Sequence, residues 1–270
     1  MNASLDEIVA DVLARMLESR REISAACCLC LSLASCGGAT SDSSAGACAG
    51  YAPQATAAEI AKTPRADSNA EILALETAGT FTANDALYDR VSGELAAIAV
   101  LEPAVASIRP LSAVSRSDLA VTLDGEGFKS WTDGTYHAWD CANAAYGATV
   151  TASPLVPSVV SVRFGSKRYQ PGPLAKEYAA LAHVTAAQPD YGTTDGPDVC
   201  LQIDGDTHHY VFDQAGGDCP AGCTTHQYFG FEAKPGGVVT AQGSWTSASP
   251  MPEPAWYTQA ADCRSRLHLH

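Results

Sequence analysis

The stretch T-H-H-Y-V-F-D-Q-A-G-G-D-C-P-A-G-C-T-T-H-Q-Y-F-G-F-E, Thr207 to Glu232, decides the fold class. Thr207–Asp213 and Gln227–Glu232 are rich in β-branched and aromatic residues, and the link between them is built from Gly, Pro and Cys. That composition predicts two strands joined by a cysteine-rich hairpin. Pro235-Gly236-Gly237 is a further turn signal, and Val238-Val239-Thr240-Ala241 opens a third strand. The last third of the chain therefore reads as an antiparallel meander.

Working outward toward the N-terminus, strand signals continue back to about residue 116. L-A-V-T-L alternates over 119–123, V-V-S-V-R-F over 159–164, and P-D-V-C-L-Q-I covers 197–203. Between the last two, Pro173–Leu181 reads as a short helix and Val184–Pro189 as a strand. Residues 57–115 are helical instead. Ile72, Leu73 and Leu75 lead to a break at Gly79, and Asn84 or Asp85 is placed to cap a second helix. Leu87, Val91, Leu95, Ile98, Val100 and Leu101 keep close to a 3.6-residue period there, until Pro103 interrupts or restarts the helix. The expected class is α+β: N-terminal helices followed by a mostly antiparallel sheet, over 116–266, with a disulfide-stapled C-terminal meander.

The unit strand 159–164, helix 173–181, strand 184–189 resembles half of a subtilisin-type propeptide or inhibitor, whose sheet is ferredoxin-like. The resemblance implies an α+β sheet and, as function, protease inhibition. The segment G-G-D-C-P-A-G-C, residues 216–223, resembles a hairpin of bacterial exported lipoproteins of unknown function, and implies no activity.

The N-terminal part reads as a targeting segment. Arg20 and Arg21 precede the uncharged run I-S-A-A-C-C-L-C-L-S-L-A-S-C, Ile23 to Cys36. That run has the length of a signal-peptide apolar region and falls short of the about 20 residues a membrane span needs. Leu33-Ala34-Ser35-Cys36 resembles a bacterial lipobox, which implies cleavage before Cys36 and lipid on its sulfur. Residues 1–36 are thus expected to be a signal peptide, with translation starting at Met1 or at Met16, because M-L-E-S-R-R-E gives the conventional layout. Residues 37–56, almost all Gly, Ser, Ala and Thr, read as a flexible tether.

The chain has 270 residues, a formal net charge of −14 and ten cysteines. A balance this acidic argues against nucleic acid as a partner, which needs clustered positive charge. Cys27, Cys28 and Cys30 would leave with the signal and Cys36 would carry lipid. Cys48, Cys141, Cys200, Cys219, Cys223 and Cys263 remain, an even six suited to disulfides in an oxidising compartment. Their pairing stays open at this point.

One constellation has chemistry in it. Cys219 and Cys223 lie four apart, His226 follows, and His208 and His209 sit on the preceding strand. Cys219, Cys223, His226 and His208 would make a tetrahedral set for zinc if they converged. The competing reading is a disulfide with surface histidines and no cofactor. Asp195-Gly196-Pro197-Asp198 and Asp204-Gly205-Asp206 are carboxylate clusters without the ligand series of a calcium loop. Trp131, Trp139, Trp245 and Trp256, with Tyr136 and Tyr257, are candidates for a carbohydrate-stacking platform. No catalytic residue is singled out, for the sequence has no G-x-S-x-G, H-E-x-x-H or phosphate-binding loop. The expectation is an exported cell-envelope lipoprotein, bound to the membrane by its lipid, acting as a binding or structural module without catalysis. Its ligand or protein partner is not named by the sequence. The alternatives are a metal-binding protein or metal-dependent enzyme built on Cys219, Cys223 and His226, and a protease inhibitor.

Overall fold

A computed structural model describes residues 48–116, 118–153, 156–190, 196–219 and 222–267. The expected signal peptide, Cys36 and residues 37–47 of the tether lie outside them. The described part of the tether departs from expectation. Cys48 is disulfide-bonded to Cys141, the Tyr51 hydroxyl donates to Glu177, and the Gln54 amide donates to the Tyr146 hydroxyl at 2.8 Å. Small residues leave that stretch little to bury, but a cross-link and these polar contacts hold it onto the body.

Helices α1 (Ala57–Ala61), α2 (Ser68–Ala78) and α3 (Asp85–Leu101) open the chain. Their starts follow from capping chemistry: Thr56 and Glu59 form a capping box, the Asp67 carboxylate accepts two α2 amides, and Asn84 caps α3. Helix α2 stops at Gly79 in the left-handed conformation, φ 62°. After α3 the chain makes a 3₁₀ turn, Pro103–Val105, and the short helix α4 (Ala113–Arg116).

The next six elements are β1 (Leu119–Leu123), the helices α5 (Gly125–Thr132) and α6 (Asp140–Tyr146), β2 (Thr149–Ala152), β3 (Val159–Arg163), α7 (Pro171–Ala179) and β4 (Val184–Pro189), counting the helix pair as one connection. Their strands order as β2-β3-β1-β4, all antiparallel. A βαββαβ succession in that order is the ferredoxin-like arrangement. β3 and β4 do not pair with each other; both flank β1, which is why the strand–helix–strand signal captured only half of the sheet. One face, with Leu119, Val121, Val160 and Val162, packs on Trp139 and Tyr146 of the α5–α6 side and on Leu174 and Tyr178 of α7. Helix α5 and α6 escaped the sequence reading because they are short and α5 begins G-E-G. Gly127 is needed there, since a Cβ on it would come within 2.5 Å of the His183 Cβ.

The second sheet is the expected meander: β5 (Asp198–Asp204), β6 (Thr207–Gly216), β7 (Thr225–Lys234) and β8 (Val238–Thr246), in sequence order. Val199, Leu201, Tyr210, Phe212, Phe229 and Phe231 pack against α2, α3 and the 3₁₀ turn. On the opposite face Cys200, Val211 and Tyr228 pack against Tyr257, Ala260, Cys263 and Leu267 of α8 (Ala255–Gln259) and α9 (Ala261–Leu267). Burial on both faces explains why β5 reads as a near-continuous apolar run. The α3 stripe needs one correction: Val91 and Ile98 are buried, but Val100 is 81% exposed and Leu101 also faces water.

A carboxylate completes that stripe. Glu94, 1% exposed, accepts from His208 Nδ1 and from the Tyr210 hydroxyl, each at 2.6 Å, and from Arg90 Nε at 2.8 Å. Burial pushes its proton affinity up, but the hydrogen bonds from His208, Tyr210 and Arg90 outweigh it and leave Glu94 below the ordinary carboxylate value. A carboxylate lowered in this way stabilises the fold above its unfolded value, near about 4.3, and loses that contribution as pH falls through the folded value. Glu94→Ala strands three donors and is expected to cost about 3 kcal/mol in urea unfolding. It should also flatten the acid side of the stability–pH curve; an unchanged slope below about pH 5 would contradict this role for Glu94.

Candidate functional site

The six cysteines beyond the lipobox are joined as Cys48–Cys141, Cys200–Cys263 and Cys219–Cys223. The first two tie residues 93 and 63 positions apart, whereas the third closes the tip of the β6–β7 hairpin. At the root of that tip the sheet register sets Ala215 opposite His226 and Asp213 opposite Tyr228. Directly opposed residues share a face and alternate positions return to it, so Asp213 and His226 are diagonal neighbours on the α8–α9 side.

Their geometry fixes the imidazole. His226 Nδ1 lies 2.8 Å from Asp213 Oδ2, and Nε2 lies 3.2 Å from the Cys223 carbonyl oxygen. Each ring nitrogen therefore faces an oxygen, one of the Asp213 carboxylate and one of the Cys223 carbonyl, which fixes the plane of the ring. The ring gives a hydrogen-bond partner to Asp213, whose side chain is 3% exposed and whose carboxyl group would otherwise be costly to bury.

The same ring begins an aromatic stack. His226 lies over Tyr228 at 6.0 Å and 10°, and Tyr228 over Trp245 at 5.8 Å and 18°. Tyr257 closes on both, 4.8 Å from Tyr228 and 5.1 Å from Trp245. Trp256 lies against the strand backbone, which is possible only because position 230 is glycine: a Cβ there would come within 2.3 Å of the indole. Beside the stack is an open cavity of about 560 Å³, bordered by His226, Trp245, Gln214, Gln227 and Thr246, with Ser249 and Met251 from the segment after β8.

The zinc set does not assemble. His208 is in register with Ala233, at the other end of the same strands, and its Nδ1 is bound to Glu94 on the α3 side. Cys219 and Cys223 are joined to each other, so neither presents a thiolate. Among the described residues no three His, Cys, Asp or Glu side chains are grouped to hold a metal ion. His209 lies in register between Gln202 and Glu232. Of the acidic turns, Asp198 accepts the Leu111 and Val199 amides at 2.6 and 2.7 Å, a structural task; Asp195 lies outside the described residues.

The six aromatic residues do not form one platform. Tyr136 and Trp139 pair edge-on in the first sheet's core and Trp131 packs on Phe128, whereas Trp245, Trp256 and Tyr257 belong to the second sheet. Sequence reasoning missed Asp213 and Glu94. Asp213 had a usable signal, because it lies two strand positions from the register partner of His226. Glu94 had another, seven residues after Leu87 and four before Ile98 on an apolar stripe.

Asp213→Ala and His226→Ala are each expected to cost about 1–3 kcal/mol, since each strands a hydrogen-bonded partner. The double variant should cost less than the sum by about 1 kcal/mol or more. Additive losses in urea unfolding would mean that the pair is not coupled. Compared with protein-family models, curated proteins and solved structures, the chain matches none.

Proposed function

We propose that the chain is an exported cell-envelope protein, lipid-anchored through Cys36, whose folded body is a binding module served by the cavity at the β6–β7 hairpin. The observation that carries the reading is the cysteine pairing. All six cysteines downstream of Cys36 are used in disulfides, as suits an oxidising compartment, and the cysteines upstream fall in the segment that a signal peptidase would remove. What supports binding at this site is an open cavity bordered by amide and hydroxyl side chains, with both ring nitrogens of His226 already turned to protein oxygens.

Two measurements on protein made in a bacterial host test it. Thiol titration of denatured, unreduced protein should find almost no free thiol. Intact mass should show loss of everything before Cys36 and the added mass of a lipid. An unprocessed, fully reduced chain would overturn both the export and the anchoring.

A second reading, inhibition of a subtilisin-like protease, is favoured by the β2-β3-β1-β4 order and by the partly exposed sheet face carrying Ala120, Thr122, Ser161 and Thr151. Slowed cleavage of a peptide substrate by subtilisin in the presence of the protein is its expected sign; unchanged cleavage removes it.

A further inference from the structure

We propose that the ligand of this cavity is an uncharged, extended segment of another polypeptide, added as a further strand along the outer edge of β8; this rests on the binding-module reading and names its ligand class. The open edge is the first argument. The second sheet ends at β8, whose outer edge pairs with no strand among the described residues. Such an edge invites another strand, so natural sheets blunt theirs with shortness, charge, proline, a bulge or a cover. The other three edges follow that practice. β2 has 4 residues, β4 ends in Pro189, and β5 begins and ends in Asp, with Gln202 bonded to the Gln259 carbonyl and the Asp262 amide at 3.1 Å each. β8 has 9 residues, V-V-T-A-Q-G-S-W-T, without a charge or a proline. It carries one device: Phe231 is opposite Ala241 and Gly230 opposite Gly243, so Gln242 is an extra residue that bends the strand. Beyond the bend lies the run Gly243 to Thr246, and Ser244, Trp245 and Thr246 of that run border the cavity. The Thr246 carbonyl accepts from the Ser249 amide at 2.9 Å, which sets the end of the open edge.

The second argument is that both faces of the sheet border the cavity. Ser244 and Thr246, opposite Phe229 and Gln227, belong to the face turned to α2 and α3. Trp245, opposite Tyr228, belongs to the face turned to α8 and α9. A compact ligand resting on one face would meet only one of these sets. The side chains of a strand alternate between faces, so a strand beside β8 meets both. At a cross-strand separation of about 5 Å, alternate side chains of the ligand come beside the Ser244 and Thr246 hydroxyls. The side chain between them comes beside the Trp245 ring, which Tyr228 and Tyr257 hold in place. The pattern recognised is therefore polar, apolar, polar.

Charge is the third argument. No Lys, Arg, Asp or Glu borders the cavity, and none occurs in β8. A charged segment would lose water there without a counter-charge, which is unfavourable; an uncharged one carries no such penalty. Its backbone amides and carbonyls meet their partners along the edge, so main-chain pairing supplies the affinity and the alternating side chains the selectivity.

Amide hydrogen exchange, read by NMR on the full chain, tests the proposal. The probe is the blocked peptide acetyl-T-V-T-F-T-V-amide, with acetyl-K-V-K-F-K-V-amide as its charged counterpart. At saturation the neutral probe should slow exchange of at least one amide in Gly243–Thr246 by about ten-fold. N-methylation of every other residue blocks one edge of the peptide, so one of the two methylated forms should lose the protection and the other keep it. Ser244→Lys and Thr246→Lys, both at exposed positions outside the aromatic stack, should each weaken binding about ten-fold by charging the edge. No protection up to about 1 mM neutral probe would overturn the proposal, as would protection indifferent to both methylated forms. Protection by the charged probe alone would overturn the uncharged assignment. Protection that appears on raising the protein concentration, with a doubled mass and no peptide, would assign the edge to a second copy instead. Shifts confined to Gln214 and His226, with β8 unchanged, would leave a binding module at the cavity and overturn strand addition. Free thiols and an unprocessed N-terminus would overturn the export reading, whatever the peptides do.

Discussion

The β5–β8 sheet carries large apolar side chains on both faces, so neither face can be left to water, and distant parts of the chain are committed to covering them. α2, α3 and the 3₁₀ turn supply one cover from before the first sheet; α8 and α9 supply the other from the end of the described chain. The second cover is the weaker by length. α8 has 5 residues and α9 has 7, too few to be stable as isolated helices. Cys200–Cys263 compensates by fixing α9 to the buried centre of β5, and loop closure over 63 residues restricts the unfolded chain by about 4 kcal/mol in the chain-entropy account.

β6 and β7 each run for 10 residues, and toward their hairpin end the face that carries Phe212 and Phe229 continues with Gln214 and Gln227, opposite Thr246 of β8. Cys219–Cys223 closes the tip just beyond, and the Cys223 carbonyl holds His226 in place. Scaffold and site are therefore one continuous piece of sheet, with a change in side-chain chemistry along it.

How much of this was legible depended on the range of the interaction. The meander could be read because period-two runs and Gly/Pro turns act within a few residues, and the starts of α2 and α3 because Asp67 and Asn84 bond amides in the very next turn. Cysteine pairing could be expected as a count but not as a map, since Cys48 and Cys141 lie 93 positions apart and only the tertiary fold brings them together. β2 was missed because T-V-T-A is an edge strand with little to bury, recognisable only from its pairing with β3. The zinc reading failed over strand geometry. It took His208 and His226 as neighbours because both flank the hairpin, but antiparallel register places them at opposite ends, on opposite faces.

That separation also sorts the two buried charge clusters by role. Glu94, His208 and Tyr210 are each 1 or 2% exposed and bond one another, so their energy goes into seating α3 on the sheet. Asp213 and His226 repeat the carboxylate–imidazole pair at the other end, but the imidazole is 23% exposed and forms part of a cavity wall. The same chemistry does different work according to what lies behind it. Enclosed by a helix, the pair is a clamp; at the hairpin end, its imidazole is held by Asp213 and the Cys223 carbonyl and borders the cavity.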